Sequence, residues 1–117
     1  PAVASSLERM TLSGDARALT TELRLLRERA LDRQADISVA ISGSDTHILT
    51  VSDGRSIALA DGTHAEILAP DAGKSPQHFL IAWDGTMTGS VRLSRGASSA
   101  RIAADRLTGR LAVEVVR

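Results

Sequence analysis

Cysteine and tyrosine are absent from this chain, and phenylalanine and tryptophan occur once each. Without cysteine there are no disulfides and no thiolate metal sites, in a reducing or an oxidising compartment alike. The scarcity of aromatic side chains leaves Leu, Ile, Val and Ala to fill the core. It also disfavours base-stacking platforms and aromatic interface anchors. Lysine is nearly missing too: of 14 basic residues only Lys74 is not Arg, a bias that fits a GC-rich genome. The 14 acidic residues cancel the 14 basic ones, whereas a dedicated nucleic-acid binder usually carries a basic excess. No run of about 18 apolar residues is present, and no signal-peptide pattern. The chain starts at Pro1 without an initiator Met. The expectation is that a preceding segment was removed by processing or by the design of the expressed fragment.

What is present suffices for one domain. The 117 residues are 43% hydrophobic, enough for a single modest core. Leu12, Ala16, Leu19, Leu23, Leu26 and Ala30 step by three and four, so at 100° per residue they form one narrow helical stripe over 12–34. Arg17, Arg24, Glu28 and Arg29 lie off the stripe. Arg27 sits at its edge, where its stem packs and its guanidinium reaches water. Ser13 or Asp15 offers an N-cap and Gly14 a weak point. The segment Val3 to Met10 holds no Gly or Pro, however, and the longer helix, beginning upstream, is the favoured reading.

From Ala35 onward the period becomes two. Ile37/Val39/Ile41, His47/Leu49/Val51, Ile57/Leu59, Ala65–Leu68, Phe79/Ile81/Trp83, Val91/Leu93, Ala100/Ile102/Ala104 and Leu111/Val113/Val115 read as about eight short strands. Turns fall at Gly43-Ser44-Asp45, Asp53-Gly54, Asp61-Gly62, Asp84-Gly85, Arg95-Gly96-Ala97 and Thr108-Gly109, and 70–76 reads as a loop. The spacing predicts an α+β domain: one leading amphipathic helix on antiparallel sheet, residues 1–34 supplying the helix and 35–117 a β-rich head.

Chemistry-bearing patterns are scarce. His47, His64 and His78 have no second ligand at helical spacing, so a metal site is not expected. Gly73-Lys74-Ser75 resembles the end of a phosphate loop, but Leu68 stands where the first Gly belongs and no helix follows. Asp53, Asp61, Asp84 and Asp105 are accounted for by turns. No Gly-x-Ser-x-Gly elbow occurs. Arg24, Arg27, Arg29 and Arg33 are interleaved with Glu22, Glu28 and Asp32, as on a solvated face with intrahelical ion pairs. Neither a catalytic site, a cofactor nor a metal is expected.

Two stretches resemble the minor pseudopilins of the GspH/FimT family. In the first, Leu19, Leu23, Leu26-Arg27 and Ala30-Leu31 are similar to that family's apolar-x-x-apolar-Arg-x-x-Ala-apolar helix. Pro1 resembles the Pro commonly found where its membrane-embedded half-helix ends. The second runs Ile81-Ala82-Trp83-Asp84-Gly85-Thr86, then Gly89-Ser90-Val91-Arg92-Leu93, and finishes Asp105-Arg106-Leu107-Thr108-Gly109-Arg110-Leu111. It resembles the family's strand ending in a turn Gly, its Gly-led strand and its Asp-x-x-Thr-Gly-Arg-apolar finish.

The resemblance implies a structural subunit rather than an enzyme. It implies a leader cleaved by a prepilin peptidase, an apolar half-helix in the inner membrane ahead of the present helix, and a periplasmic head. It implies assembly with other minor pseudopilins and the major pseudopilin into the fibre of the type II secretion machine, at the tip or linking tip to shaft. On this reading the stripe docks the sheet, while Arg24 and Glu28 face neighbouring subunits. Type IV pilus members that bind DNA carry a Gly-Arg-x-Arg sequence. Here it reads Gly109-Arg110-Leu111-Ala112, with Ala in place of the second Arg, which shifts the expectation toward secretion and away from DNA uptake. A small β-sandwich enzyme or ligand-binding module, with a deep pocket of convergent polar groups, is the remaining alternative.

Overall fold

A computed structural model describes residues 2–42, 45–68, 78–105 and 108–116. Helix α1 is one unbroken element, Ala2–Arg33, of 32 residues. At 1.5 Å per residue it is about 48 Å long, matching the molecule's longest dimension of 48 Å. It begins well before Ser13, and Gly14 lies inside it on the exposed side, where the lost propensity is about 1 kcal/mol and packing outweighs it. It ends through Gln34, whose φ of 53° lets Ala35 N–H reach back to Ala30 O at 3.2 Å, closing the terminal carbonyls.

Nine strands follow among the described residues: β1 Ile37–Ser42, β2 Asp45–Val51, β3 Ser56–Ala58, β4 His64–Leu68, β5 Phe79–Ile81, β6 Met87–Thr88, β7 Ser90–Arg95, β8 Ser98–Ala104 and β9 Leu111–Val116. They form a five-stranded sheet in the order β3-β2-β1-β5-β6 and a four-stranded sheet in the order β4-β7-β8-β9. Every pairing is antiparallel. The architecture is therefore the α+β arrangement expected, with two corrections. The strand from Phe79 stops at Ile81, because Ala82 N–H turns back to Thr86 O and Trp83 stands exposed in the turn. The two-residue β6 is too short to show alternation. The Gly43-Ser44 turn, the loop 70–76, Gly73-Lys74-Ser75, Pro1, Arg106 and Leu107 lie outside the described residues.

The helix lies mainly across β7 and β8, with further contacts to β1, β5 and β9, while β4 packs against β1 and β2. Leu12, Ala16, Leu19, Leu23, Leu26 and Ala30 are each at most 1% exposed. They share one core with Val39, Leu49, Phe79, Ile81 and Met87 of the first sheet and Val91, Leu93, Ala100 and Ile102 of the second. Thr20, also on the buried side, satisfies its hydroxyl by donating to Ala16 O at 2.7 Å. The chain passes from one sheet to the other at Gly89, with φ +117°. A Cβ there would sit 3.3 Å from Leu68 O and 3.4 Å from a ring carbon of Phe79.

Candidate functional site: the joint between helix and head

Apolar burial fixes the helix face; polar ties along the helix fix its position. Near its start, the Glu8 carboxylate lies over Gly96 in the β7–β8 turn. In the middle, Asp15 Oδ1 accepts from Ala60 N–H at 3.3 Å, in the turn leading to Asp61-Gly62. Further on, Arg29 Nη1 reaches Asp53 Oδ2 at 3.0 Å, in the β2–β3 turn. At the helix exit, Asp36 Oδ1 accepts from Trp83 N–H at 2.8 Å.

The densest tie is at Arg27. Its Nε donates to Gly85 O at 2.9 Å. A Cβ on Gly85 would fall 3.0 Å from Arg27 Nη2 and 3.1 Å from Leu31 Cδ2. A Cβ on Gly109 would fall 2.5 Å from Arg27 Nε. The guanidinium therefore lies between the β5–β6 turn and the β8–β9 turn. Both turn residues have positive φ, +88° and +71°, and both lack the side chain that would exclude it. The residue expected to send its guanidinium to water instead uses it within the fold: the turns close over the helix edge, and a backbone carbonyl meets the charge.

The neighbouring residues build those turns. Asp84 Oδ1 accepts from Thr86 N–H at 3.0 Å, and the Thr86 hydroxyl and amide hold its carboxyl below the usual range. Asp105 caps the β8–β9 turn. Its Oδ1 accepts from Thr108 N–H at 3.4 Å, its carbonyl from Gly109 N–H at 2.9 Å, and its own N–H donates to Arg110 O at 2.8 Å. Thr108 Oγ1 accepts from Arg110 N–H at 3.3 Å. Arg24, Glu28 and Arg110 are exposed and border, with Arg27 and Leu111, an open cleft of about 400 Å³.

Asp53 shows what one tie contributes. Partial burial pushes its carboxyl up, but the Arg55 amide and the Arg29 guanidinium more than offset this, so it ionises below its ordinary 3.8. A depressed carboxylate adds stability above the unfolded-state value and loses it as pH falls through the lower folded-state value. Arg29→Ala is therefore expected to lower stability at neutral pH by less than about 1 kcal/mol, because the pair is partly exposed. The difference in melting temperature from the unaltered protein should shrink on acidification below pH 3.8. A constant difference across that range would show that the ion pair carries none of it.

No group of three or more His, Asp or Glu side chains suited to a metal exists among the described residues. His64 Nδ1 is 2.6 Å from Thr46 Oγ1 in a strand-to-strand contact. A cleft of about 480 Å³ between the helix and β2–β3 is lined by the apolar Leu26, Val51 and Ile57 together with Glu22, Arg55 and Ser56.

Comparison with solved structures finds the same arrangement of one long helix fastened to antiparallel sheets. The minor pseudopilin EpsH of the Vibrio cholerae type 2 secretion system matches with a TM-score of 0.64 over 88% of this chain and 95% of that one, at 19% identity. The fold is that of the pseudopilins and pilins. The type IV minor pilin FimU of Pseudomonas aeruginosa matches with a TM-score of 0.64 at 17% identity, over 92% of this chain and 90% of that one. No protein-family model matches the sequence, and no curated protein matches it. Among the described residues no helix is long and apolar enough to cross a membrane.

Proposed function

We propose that this protein is a structural subunit of a pilus-like assembly, a minor pseudopilin serving type II secretion at the fibre tip or between tip and shaft. The observation that carries the reading is the helix. Its buried stripe is given wholly to the head, while its opposite flank, including Arg24, Leu25 and Glu28, is left open for other subunits. The pseudopilin fold supports it, since both structural neighbours are minor subunits by name. On this reading the helix continues N-terminally as an apolar inner-membrane anchor, the head is periplasmic, and the partners are other minor pseudopilins and the major one.

A role as a type IV minor pilin is the second reading, favoured by the equal match to FimU. Ala112 in place of a second Arg, together with zero net charge, weighs against one that takes up DNA. Deleting the gene in its own host separates the two. Loss of protein export with pili intact is the expected result; loss of pili with export intact would replace the first reading by the second. Intact export and pili would remove both.

A further inference from the structure

We propose that β9 is a strand-addition site, taking an extended segment of another protein along its free edge. Among the described residues β9 pairs with β8 alone and ends the four-stranded sheet. The other edges are short or covered: β6 has two residues, β3 has three, and β4 packs against the other sheet. β9 has six residues and little of the usual protection, with no Lys, Pro or Gly and Glu114 as its one charge.

The register assigns each residue of the strand. Asp105 N–H donates to Arg110 O, so that pair is hydrogen-bonded, and antiparallel alternation makes Ala104–Leu111, Ile102–Val113 and Ala100–Val115 the non-bonded pairs. The backbone N–H and C=O groups of Leu111, Val113 and Val115 therefore point away from β8, toward the open edge. Their side chains share a face with Ile102 and Ala100, which the helix buries, yet Val113 is 43% and Val115 47% exposed. The apolar face of the sheet thus runs on past the helix. Beside it a groove of about 390 Å³ separates α1 from Val115, lined by Ser6, Arg9, Met10 and Ser13, with Met10 69% exposed.

An added strand would pair with three outward N–H and three outward C=O groups and cover Val113, Val115 and Met10. Charge selects its chemistry. At the Leu111 end, Arg24 and Arg110 are exposed along the open cleft, and Glu28 is the one acid among the residues that line it. The occupant is therefore a protein segment with apolar residues at alternate positions and a carboxylate at that end. The inference holds for whatever assembly the chain joins.

The probe is a capped hexapeptide of alternating valine and threonine with glutamate at one end. Amide hydrogen exchange is followed by NMR as peptide is added. Exchange at Leu111, Val113 and Val115 is expected to slow about tenfold or more, while Ala112 and Glu114, already bonded to β8, change little. Val113→Pro removes one outward N–H without touching a β8 bond and should abolish the protection. If its melting curve shows unfolding, Val113→Lys serves instead. Unchanged exchange at millimolar peptide overturns the proposal. So does protection that rises with protein concentration alone, which would make a second copy the occupant. Equal binding of a peptide with arginine in place of glutamate overturns the charge assignment.

Discussion

Leu23→Ala is expected to lower the unfolding free energy by about 2–5 kcal/mol. Leu23 is fully buried at the middle of the stripe, between helix and both sheets. Removing its branched end leaves a void that a 32-residue helix tied at several points cannot close by shifting. At about 4 °C per kcal/mol the melting temperature should fall by roughly 8–20 °C. Two positions later, Leu25 is 47% exposed, and Leu25→Ala should stay within about 0.5 kcal/mol. Equal losses from the two changes would mean that the helix is not docked through this face.

Gly109→Ala should come second, at about 2–4 kcal/mol. Two causes act together. A φ of +71° is costly for any residue with a Cβ, by about 1–3 kcal/mol. The new methyl also occupies the space of Arg27 Nε, so the guanidinium must leave Gly85 O. A double-mutant cycle separates them. Arg27→Ala should itself cost about 1–2 kcal/mol by leaving that carbonyl without its donor. In its presence Gly109→Ala should cost only the backbone part, a coupling of about 0.5–3 kcal/mol. Strict additivity would show that the guanidinium and the turn do not share this space.

The two experiments probe features that differ in how they are written in the chain. Leu12, Ala16, Leu19, Leu23, Leu26 and Ala30 announce a helix face because burial on a helix imposes its period on the sequence. The β2, β7 and β8 strands announce themselves by alternation for the same reason. Neither signal extends to what single residues do across the fold. Nothing local to Arg27 says that its guanidinium ends against Gly85 and Gly109, which lie about 60 and 80 positions away. The partial clue lay in the turn motifs themselves. Asp84-Gly85 and Thr108-Gly109 are explained locally by turn geometry, so their second use, as walls without side chains, was hidden behind the first. The end of the strand at Ile81 was likewise obscured by Trp83, whose apolar side chain continues the alternation although its backbone has already turned.

The contacts of Glu8, Asp15, Arg27 and Arg29 reach five different turns of the head along one helix. Each residue inserted between Asp15 and Arg27 would rotate one group of ties by about 100° and slide it by about 1.5 Å relative to the other. No single docking of the head could then satisfy both groups. The head is thus phased to the helix like a cam on a shaft. Whatever sets the azimuth and height of the helix sets, with no hinge between, the direction in which every surface of the head points.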